Sequence, residues 1–253
     1  MHAIILAAGQ GNRLAAFNPD ARPKCLLEFG GKSLLERQLD SLFRCGIRQL
    51  TLVIGYEADQ IIDHVGTLSS RPDVAFVYNP AYTDGSVLSL LAAQNALSSG
   101  ETTLVMDADV LFHPQILQLL IDSTKPNCYL IDRDVVVADE AVKIAMQKGK
   151  IVEFRKNLPA DLEYDSLGES VGFFKFNGDC AAKIAHTCAS YKTEGLLDAP
   201  HEEALRDVLL AQPSAFACED ISGWAWLEVD FPEDAERAIK QILPAIRKDI
   251  PDF

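Results

Sequence analysis

Residues 6–27, LAAGQGNRLAAFNPDARPKCLL, set a glycine loop, an arginine and a lysine within a short stretch of an acidic chain. Leu6, Ala7, Ala8, Gly9 and Gly11 follow an apolar run, His2 to Leu6, that reads as a buried first strand. Small residues let a backbone come close to a phosphate chain and aim N–H groups at it. Arg13 and Lys24, the latter directly after Pro23, add fixed positive charge. The set reads as a site for a nucleoside triphosphate. Two other phosphate loops are excluded. The dinucleotide fingerprint needs a third glycine three residues after Gly11, where Leu14 stands. Gly31-Lys32-Ser33 resembles the end of a P-loop, but Leu26 occupies the position of its first glycine.

Three further segments could carry chemistry. Met106-Asp107-Ala108-Asp109 ends a fourth strand, and residues two apart on a strand share a face, so Asp107 and Asp109 can address one site. Carboxylates at a strand end beside a triphosphate suit Mg²⁺, which takes a few protein oxygens and keeps waters and phosphate oxygens. Gly85 and Ser86 in Tyr82-Thr83-Asp84-Gly85-Ser86 open a helix, and a helix N-terminus favours an anion or a base. In Trp224-Ala225-Trp226-Leu227-Glu228-Val229-Asp230, period-2 alternation puts Trp224, Trp226, Glu228 and Asp230 on one face. Ala225, Leu227 and Val229 fall on the other. Simpler roles fit the same residues: a cap at Pro114 for an aspartate of the first pair, a cap at Pro232 for Asp230, and core packing for the tryptophans.

The ordered motifs resemble the nucleotidyltransferases that join an NTP to a phosphorylated small molecule. That family includes the sugar-1-phosphate enzymes and the bacterial phosphocholine cytidylyltransferases. The resemblance extends over nearly the whole chain. It implies that Gly9, Gly11 and Arg13 hold the triphosphate with the flanking Leu6, Ala7 and Ala8, and that Lys24 contacts the reacting phosphates. It implies Asp109 and Asp230 as metal ligands, the latter from the late strand that ends in Asp before Pro232-Glu233-Asp234. Asp107, Gly85 and Ser86 fall on the nucleotide side. Lys156, in Glu153-Phe154-Arg155-Lys156, would contact the acceptor phosphate or the α-phosphate. Glu169, in Glu169-Ser170-Val171-Gly172-Phe173, would contact the acceptor together with Trp224, Trp226 and Glu228. In cytidylyl relatives the turn at 82–86 often carries paired asparagines, where this chain has Gly85-Ser86.

The elements that must position these residues alternate over the first 135 positions. Strands are predicted at Ala3–Ala7, Leu50–Ile54, Val74–Tyr78, Thr103–Met106 and Cys128–Ile131. Helices are predicted at Ser33–Cys45, Asp59–Val65, Val87–Leu97 and Pro114–Asp122. Such alternation means βαβ units and an α/β, Rossmann-like, mostly parallel mixed sheet with helices on both faces. Ligands then bind at the carboxyl ends of the strands. Beyond Asp134, Val142–Met146 and Ile151–Phe154 flank Lys148-Gly149-Lys150 as a hairpin. Ser170–Phe176, Phe216–Glu219 and Ala225–Val229 read as strands. Asp179–Tyr191, Glu202–Ala211 and Pro232–Arg247 read as helices. Residues 1–253 are expected to form one domain, with 1–135 as the NTP-binding core and 136–253 as a C-terminal lid that binds the acceptor and completes the metal site.

A chain of 253 residues, 48% hydrophobic, has ample material for a core. Its net charge of −14 argues against nucleic acid as the main partner but not against a nucleotide, which needs only local positive charge. No apolar run reaches membrane-spanning length, and Met1 leads straight into a strand without a basic leader. The six cysteines contain no C-x-x-C pair, so reduced thiols in a cytoplasmic protein are the default. An oligomer is compatible with all of this. The resulting expectation is a Mg²⁺-dependent cytidylyltransferase that moves CMP from CTP to a small phospho-alcohol or phosphonate. A sugar-1-phosphate nucleotidyltransferase using UTP, GTP or dTTP shares every phosphate and metal residue. A metal-dependent glycosyltransferase would also use Asp107-Ala108-Asp109, and a catalytically dead relative would not need Arg13, Lys24, Asp109 and Asp230 together.

Overall fold

The opening apolar run forms β1 (His2–Ala7), and its two faces pack separately. Ala3, Ile5 and Ala7 join one core cluster, while Ile4 joins another on the opposite side of the sheet. The computed structural model describes residues 1–14, 16–18, 20–134, 140–251 and 253. After the glycine loop, a small hairpin of β2 (Glu28–Phe29) and β3 (Lys32–Ser33) leads into α1 (Leu34–Arg44). Ser33 Oγ caps α1 by accepting the Glu36 N–H at 3.0 Å. The βα alternation continues through β4 (Gln49–Ile54), α2 (Ala58–Thr67), β5 (Asp73–Tyr78), α3 (Ser86–Ala92) and α4 (Gln94–Leu97). β6 (Thr103–Asp107), β7 (Val110–Phe112), α5 (Pro114–Asp122) and β8 (Cys128–Asp132) follow. Next come β9 (Lys143–Gln147), β10 (Lys150–Arg155), β11 (Ser166–Phe176), α6 (Gly178–Thr193) and α7 (His201–Ala211). The chain closes with β12 (Ala217–Asp220), β13 (Trp226–Glu228), α8 (Pro232–Arg237) and α9 (Leu243–Asp249).

β6, β1, β4 and β5 pair side by side in parallel, and β11 joins the free edge of β6 antiparallel. Leu50 to Ile54 are all buried, as a central parallel strand covered on both faces requires. Helices α1 and α5 cover one face, and α3, α6 and α7 the other. The protein therefore has the expected α/β architecture of a mostly parallel mixed sheet.

The path of β11 shapes the site. Glu169 pairs with Asp132 on β8 and Lys143 on β9, whereas Phe174 pairs with Tyr129 on β8 and Val105 on β6. One edge of β11 thus serves β8, and the other passes from β9 to β6 along its length. The handover falls at Gly172, whose φ of +77° places it in the region glycine favours. A Cβ there would lie 2.4 Å from Asp107 Oδ2, so the glycine also makes room for that carboxylate.

Several elements differ from the sequence-based expectation. The helix expected over Val87–Leu97 breaks at Ala93 into α3 and α4. The closing helix is interrupted by a π-helical stretch, Ala238–Ile242. The strand expected over Ala225–Val229 shrinks to β13, and Trp224 lies in the preceding turn. β7 was not predicted; a three-residue apolar run is too short to show a period. It pairs antiparallel with β13, opposing Val110 to Glu228 and Phe112 to Trp226. All six cysteines are free thiols. Among the described residues no helix is long and apolar enough to cross a membrane.

Candidate active site

At the carboxyl ends of β1 and β6 a cavity of about 500 Å³ opens, lined by the glycine loop, Arg13, Lys24, Ser86, Asp109 and Asp230. Leu6, Ala7, Gly9 and Gly11 belong to its wall. A Cβ on Gly9 would meet no protein atom within 4 Å; it would point into open space of the kind a phosphate chain fills. Gly11 answers a different demand. Its φ is +64°, and a Cβ there would press on Lys24 Cβ at 3.0 Å, so this glycine lets the lysine stem lie against the loop. Ala8 stands behind the wall, where its carbonyl accepts the Tyr56 N–H at 3.0 Å.

Lys24 opens a 3-10 turn, Lys24–Leu26, and its ammonium bridges two carboxylates. Nζ donates to Asp109 Oδ2 at 2.7 Å and also to Asp230 Oδ1. Burial draws the Lys24 ammonium down, but Asp109 and Asp230 outweigh this and hold it above the ordinary lysine range. Arg13 reaches the other oxygen of Asp230, with NH1 3.6 Å from Oδ2. The β7–β13 ladder brings these distant residues together, and the Val229 N–H donating to the Asp109 carbonyl at 3.0 Å ties the two strand ends. Asp234 steadies the far side, where its Oδ2 accepts the backbone N–H groups of Asp230 and Phe231.

Asp107 and Asp109 do not share a cavity. β6 ends at Asp107, and Asp109 sits in the turn beyond it, so strand alternation does not carry across the pair. Asp107 faces a small pocket with Lys156, Gly172, Glu202 and Glu228. Burial, with Asp109 and Glu202 nearby, pushes its carboxyl well above the usual range. Lys156 lines this pocket and a second beside Arg155, not the large cavity, and its carbonyl accepts from Lys143 Nζ at 2.8 Å. Gly85 lines none of these spaces. A Cβ on it would collide with the backbone of Asp198 and Ala199, so its role is to admit that loop.

A further cavity, of about 490 Å³, adjoins the first through Asp230. Glu169, Trp226, Glu228, Asp234 and Arg237 line it. Trp226 is buried and donates its indole N–H to Asp132 Oδ2 at 2.7 Å, so it is both core and wall. Trp224 lines none of these cavities; its ring lies tilted by 39° against the His113 ring, with centroids 4.5 Å apart. Alternation failed there because the strand begins only at Trp226.

Residues 3–208 match the MobA-like NTP transferase domain. The chain belongs to that family. Several of its relatives are nucleotidyltransferases by name. It is 30% identical over 250 residues to the bifunctional IPC transferase and DIPP synthase of Rubrobacter xylanophilus, covering 95% of this chain and 52% of that one. It is 23% identical to the CTP:phosphoglutamine cytidylyltransferase of Campylobacter jejuni, covering 95% of this chain and all of the other. The chain thus spans about half the length of the first relative and the full length of the second. Among solved structures, the inositol-1-phosphate CTP transferase from T. maritima superposes with a TM-score of 0.77 at 19% identity, over 98% of this chain and 96% of that one, which shows the shared fold.

In this NTP transferase the acidic groups fit a divalent cation. Asp109, Glu228 and Asp230 each offer one oxygen, all within 4.8 Å of one another. Asp109 Oδ1 is buried without a hydrogen-bond partner, an unmet demand that a cation would satisfy. Glu228 was expected on the acceptor side alone; it lies between that cavity and the carboxylate pair. Its side chain is exposed at the end of β13, and the protein atoms crowded around its carboxyl, with Asp109 and Asp230, push it above the usual range.

Glu169 makes a separate prediction. Burial, with Asp132 beside it, raises its carboxyl to about 7, against the opposing pull of Arg237 and Lys143. The folded state then holds this proton more tightly than the unfolded chain. Its contribution to stability is fully present below about pH 4.5 and is lost as pH rises through about 7. Glu169→Gln should therefore flatten the fall in urea midpoint between pH 5 and 8. A variant with the wild-type slope would show that Glu169 titrates normally.

Proposed function

We propose that this nucleotidyltransferase is a Mg²⁺-dependent cytidylyltransferase acting on a small phospho-alcohol or phosphonate. One observation carries the reading: Lys24 and Arg13 converge with Asp109 and Asp230 on a cavity walled by the glycine loop. In the reaction an acceptor phosphate or phosphonate oxygen attacks the α-phosphorus of CTP. A new P–O bond forms in line as the bond to the bridging oxygen breaks, and pyrophosphate leaves. No side chain becomes covalently attached. The glycine loop and Arg13 hold the triphosphate, and Lys24 meets the charge that develops on the reacting phosphates. Asp109 and Asp230 would hold Mg²⁺, with Glu228 in reach, and the ion would neutralise phosphate charge. Cys25 lines the cavity, but burial pushes its thiol up to about 12, so it remains protonated.

Residues 1–253 act as one catalytic domain in this proposal. Positions 1–135 supply the nucleotide cavity, and 136–253 supply Glu169, Trp226, Glu228 and Asp230. Six free thiols suit the reducing cytoplasm. CTP is favoured because the relatives include a CTP:phosphoglutamine cytidylyltransferase.

The lining of the cavity beside Asp230 supports a reading of the acceptor. Asp134, Glu140, Glu169, Glu228, Asp230 and Asp234 face Arg237 across it. That excess of carboxylate suits an acceptor carrying a cationic group, with the Trp226 ring as an aromatic wall. An amine-bearing phospho-compound should therefore be preferred over glucose 1-phosphate by roughly tenfold or more in kcat/KM, the scale of one desolvated charge contact. A polyol phosphate is the second reading, supported by the fold shared with an inositol-1-phosphate CTP transferase. Pyrophosphate release, measured with each NTP and with phosphocholine, aminoalkylphosphonates, inositol phosphate and hexose phosphates, decides among them. Higher kcat/KM for a hexose phosphate would overturn the acceptor assignment. Loss of preference for CTP would overturn the base.

A further inference from the structure

The wall of the cavity beside Asp230 is held from behind by a buried carboxylate that the proposed chemistry does not use. Asp132 is 4% exposed and lines none of the cavities described above. Each of its oxygens accepts one N–H. Oδ2 takes the Trp226 indole N–H at 2.7 Å, and Oδ1 takes the backbone N–H of Asp134 at 2.9 Å. Trp226 and Asp134 both line the cavity. Glu169, a third lining residue, pairs with Asp132 across the β8–β11 ladder. One residue thus adjoins three wall residues from three segments of the chain.

The strand end that carries Asp132 is pinned on both sides of it. The Ile221 N–H donates to the Ile131 carbonyl at 2.9 Å, and the Arg133 N–H donates to Ser222 Oγ at 2.8 Å. Arg133 Nη1 also lies 3.5 Å from Asp220 Oδ2.

The backbone and the ring of Trp226 are fixed by different contacts. The β7–β13 ladder sets the backbone by opposing Trp226 to Phe112, and the His113 N–H donates to the Ala225 carbonyl at 2.9 Å. Neither contact chooses how the indole turns about its outer torsion, which has two broad wells about half a turn apart. An indole lacks two-fold symmetry, so the two wells present different parts of the ring to the cavity. Its one donor meets the Asp132 carboxylate in only one of them. Burial enforces the choice, because a buried N–H left without an acceptor is costly. A cation is drawn to the face of an aromatic ring and not to its edge. The ring orientation therefore decides whether this wall can serve one.

We propose that Asp132 is a positioning residue for the acceptor: it selects the Trp226 ring orientation and seats Asp134, so that an aromatic and an acidic wall face one bound cation. The inference rests on the amine-acceptor reading of this cavity.

Asp132→Ala removes both acceptor oxygens, and Trp226→Phe keeps an aromatic ring but removes the donor. The assay varies phosphocholine or an aminoalkylphosphonate, whichever the wild type uses better, at saturating CTP. Each variant should raise the acceptor KM by about three- to tenfold, the scale of one hydrogen bond. In Asp132→Ala, kcat and the calorimetric affinity for CTP with Mg²⁺ should stay within about twofold, since those contacts lie elsewhere. The double variant should be little weaker than Asp132→Ala alone, because both changes break one bond. Asp132→Asn keeps the shape and one acceptor oxygen. Its acceptor KM should fall between wild type and Asp132→Ala, and it carries the test if the alanine variant does not fold. Indole ¹⁵N–¹H spectra read the bond without an acceptor. The chain has two tryptophans, and Trp224→Phe assigns their signals. Solvent exchange of the Trp226 indole proton should quicken by about three- to tenfold in Asp132→Ala. A purely structural role would lower the melting temperature and leave the acceptor KM in place, which would overturn the proposal. Additive losses in the double variant, or unchanged indole exchange in Asp132→Ala, would also overturn it. Wild-type protein that turns over no amine-bearing phospho-acceptor would instead overturn the reading beneath it.

Discussion

Lys24→Ala is expected to lower turnover by about a hundredfold or more and to leave the fold intact. Losing one preorganised charge partner of a transition state has effects of that size. The Lys24 side chain is only 13% exposed and is held between Asp109 and Asp230 in the wall of the cavity. The backbone around it is a short 3-10 turn whose hydrogen bonds, Leu26 N–H to the Pro23 carbonyl and Leu27 N–H to the Lys24 carbonyl, do not involve the side chain. Stopped-flow or steady-state pyrophosphate release at saturating substrates measures the effect, and circular dichroism verifies the fold. Near-normal kcat would remove Lys24 from the reacting phosphates. The same variant should bind Mn²⁺ more tightly without nucleotide, because the lysine no longer competes for the two carboxylates.

Asp109→Asn and Asp230→Asn should each lower the proposed Mg²⁺-dependent rate by a factor on the order of 10²–10³. Each change removes one anionic ligand while keeping the shape of the side chain. The distances support a shared ion. Opposite ligands of an octahedral Mg²⁺ lie about 4.2 Å apart, twice the Mg–O bond, and the three carboxylate oxygens here fall within 4.8 Å. The two variants should differ in one respect. Asp230 also faces Arg13 at 3.6 Å, so Asp230→Asn should raise the KM for the nucleotide more than Asp109→Asn does. Titration with Mn²⁺ followed by electron spin resonance tests ion binding apart from activity. Retention of tight Mn²⁺ binding in both variants would place the ion elsewhere.

The wall of the candidate site was legible in the sequence because it is local. Leu6 to Lys24 form one loop after one strand, and composition alone shows where a backbone must turn closely and carry charge. Gly172 illustrates the limit: nothing in the sequence marks it, because the carboxylate it makes room for belongs to another strand. Asp107 and Asp109 show how period reasoning fails at a strand end, where the alternation stops with the last paired residue. Trp224 failed for the same reason at the start of β13. Asp132 left no signal, since a lone carboxylate at a strand end resembles many others until Trp226 is placed beside it.

The sequence by itself determined the alternation of strands and helices, the apolar faces that build a mostly parallel sheet, and the close-turning, positively charged first loop. These depend on periodicity and on conformational preferences, which act over a few residues. Only the tertiary structure decided which distant carboxylates meet. Asp109 and Asp230 converge because three residues of β7 pair with three of β13, and so short a ladder is stabilised by the core beneath it rather than by its own pattern. The same packing decided that Asp107 turns to the small pocket of Lys156 and Glu202 and that Trp224 turns away. Contacts between segments remote in sequence depend on the summed burial of the whole chain, which no local window contains.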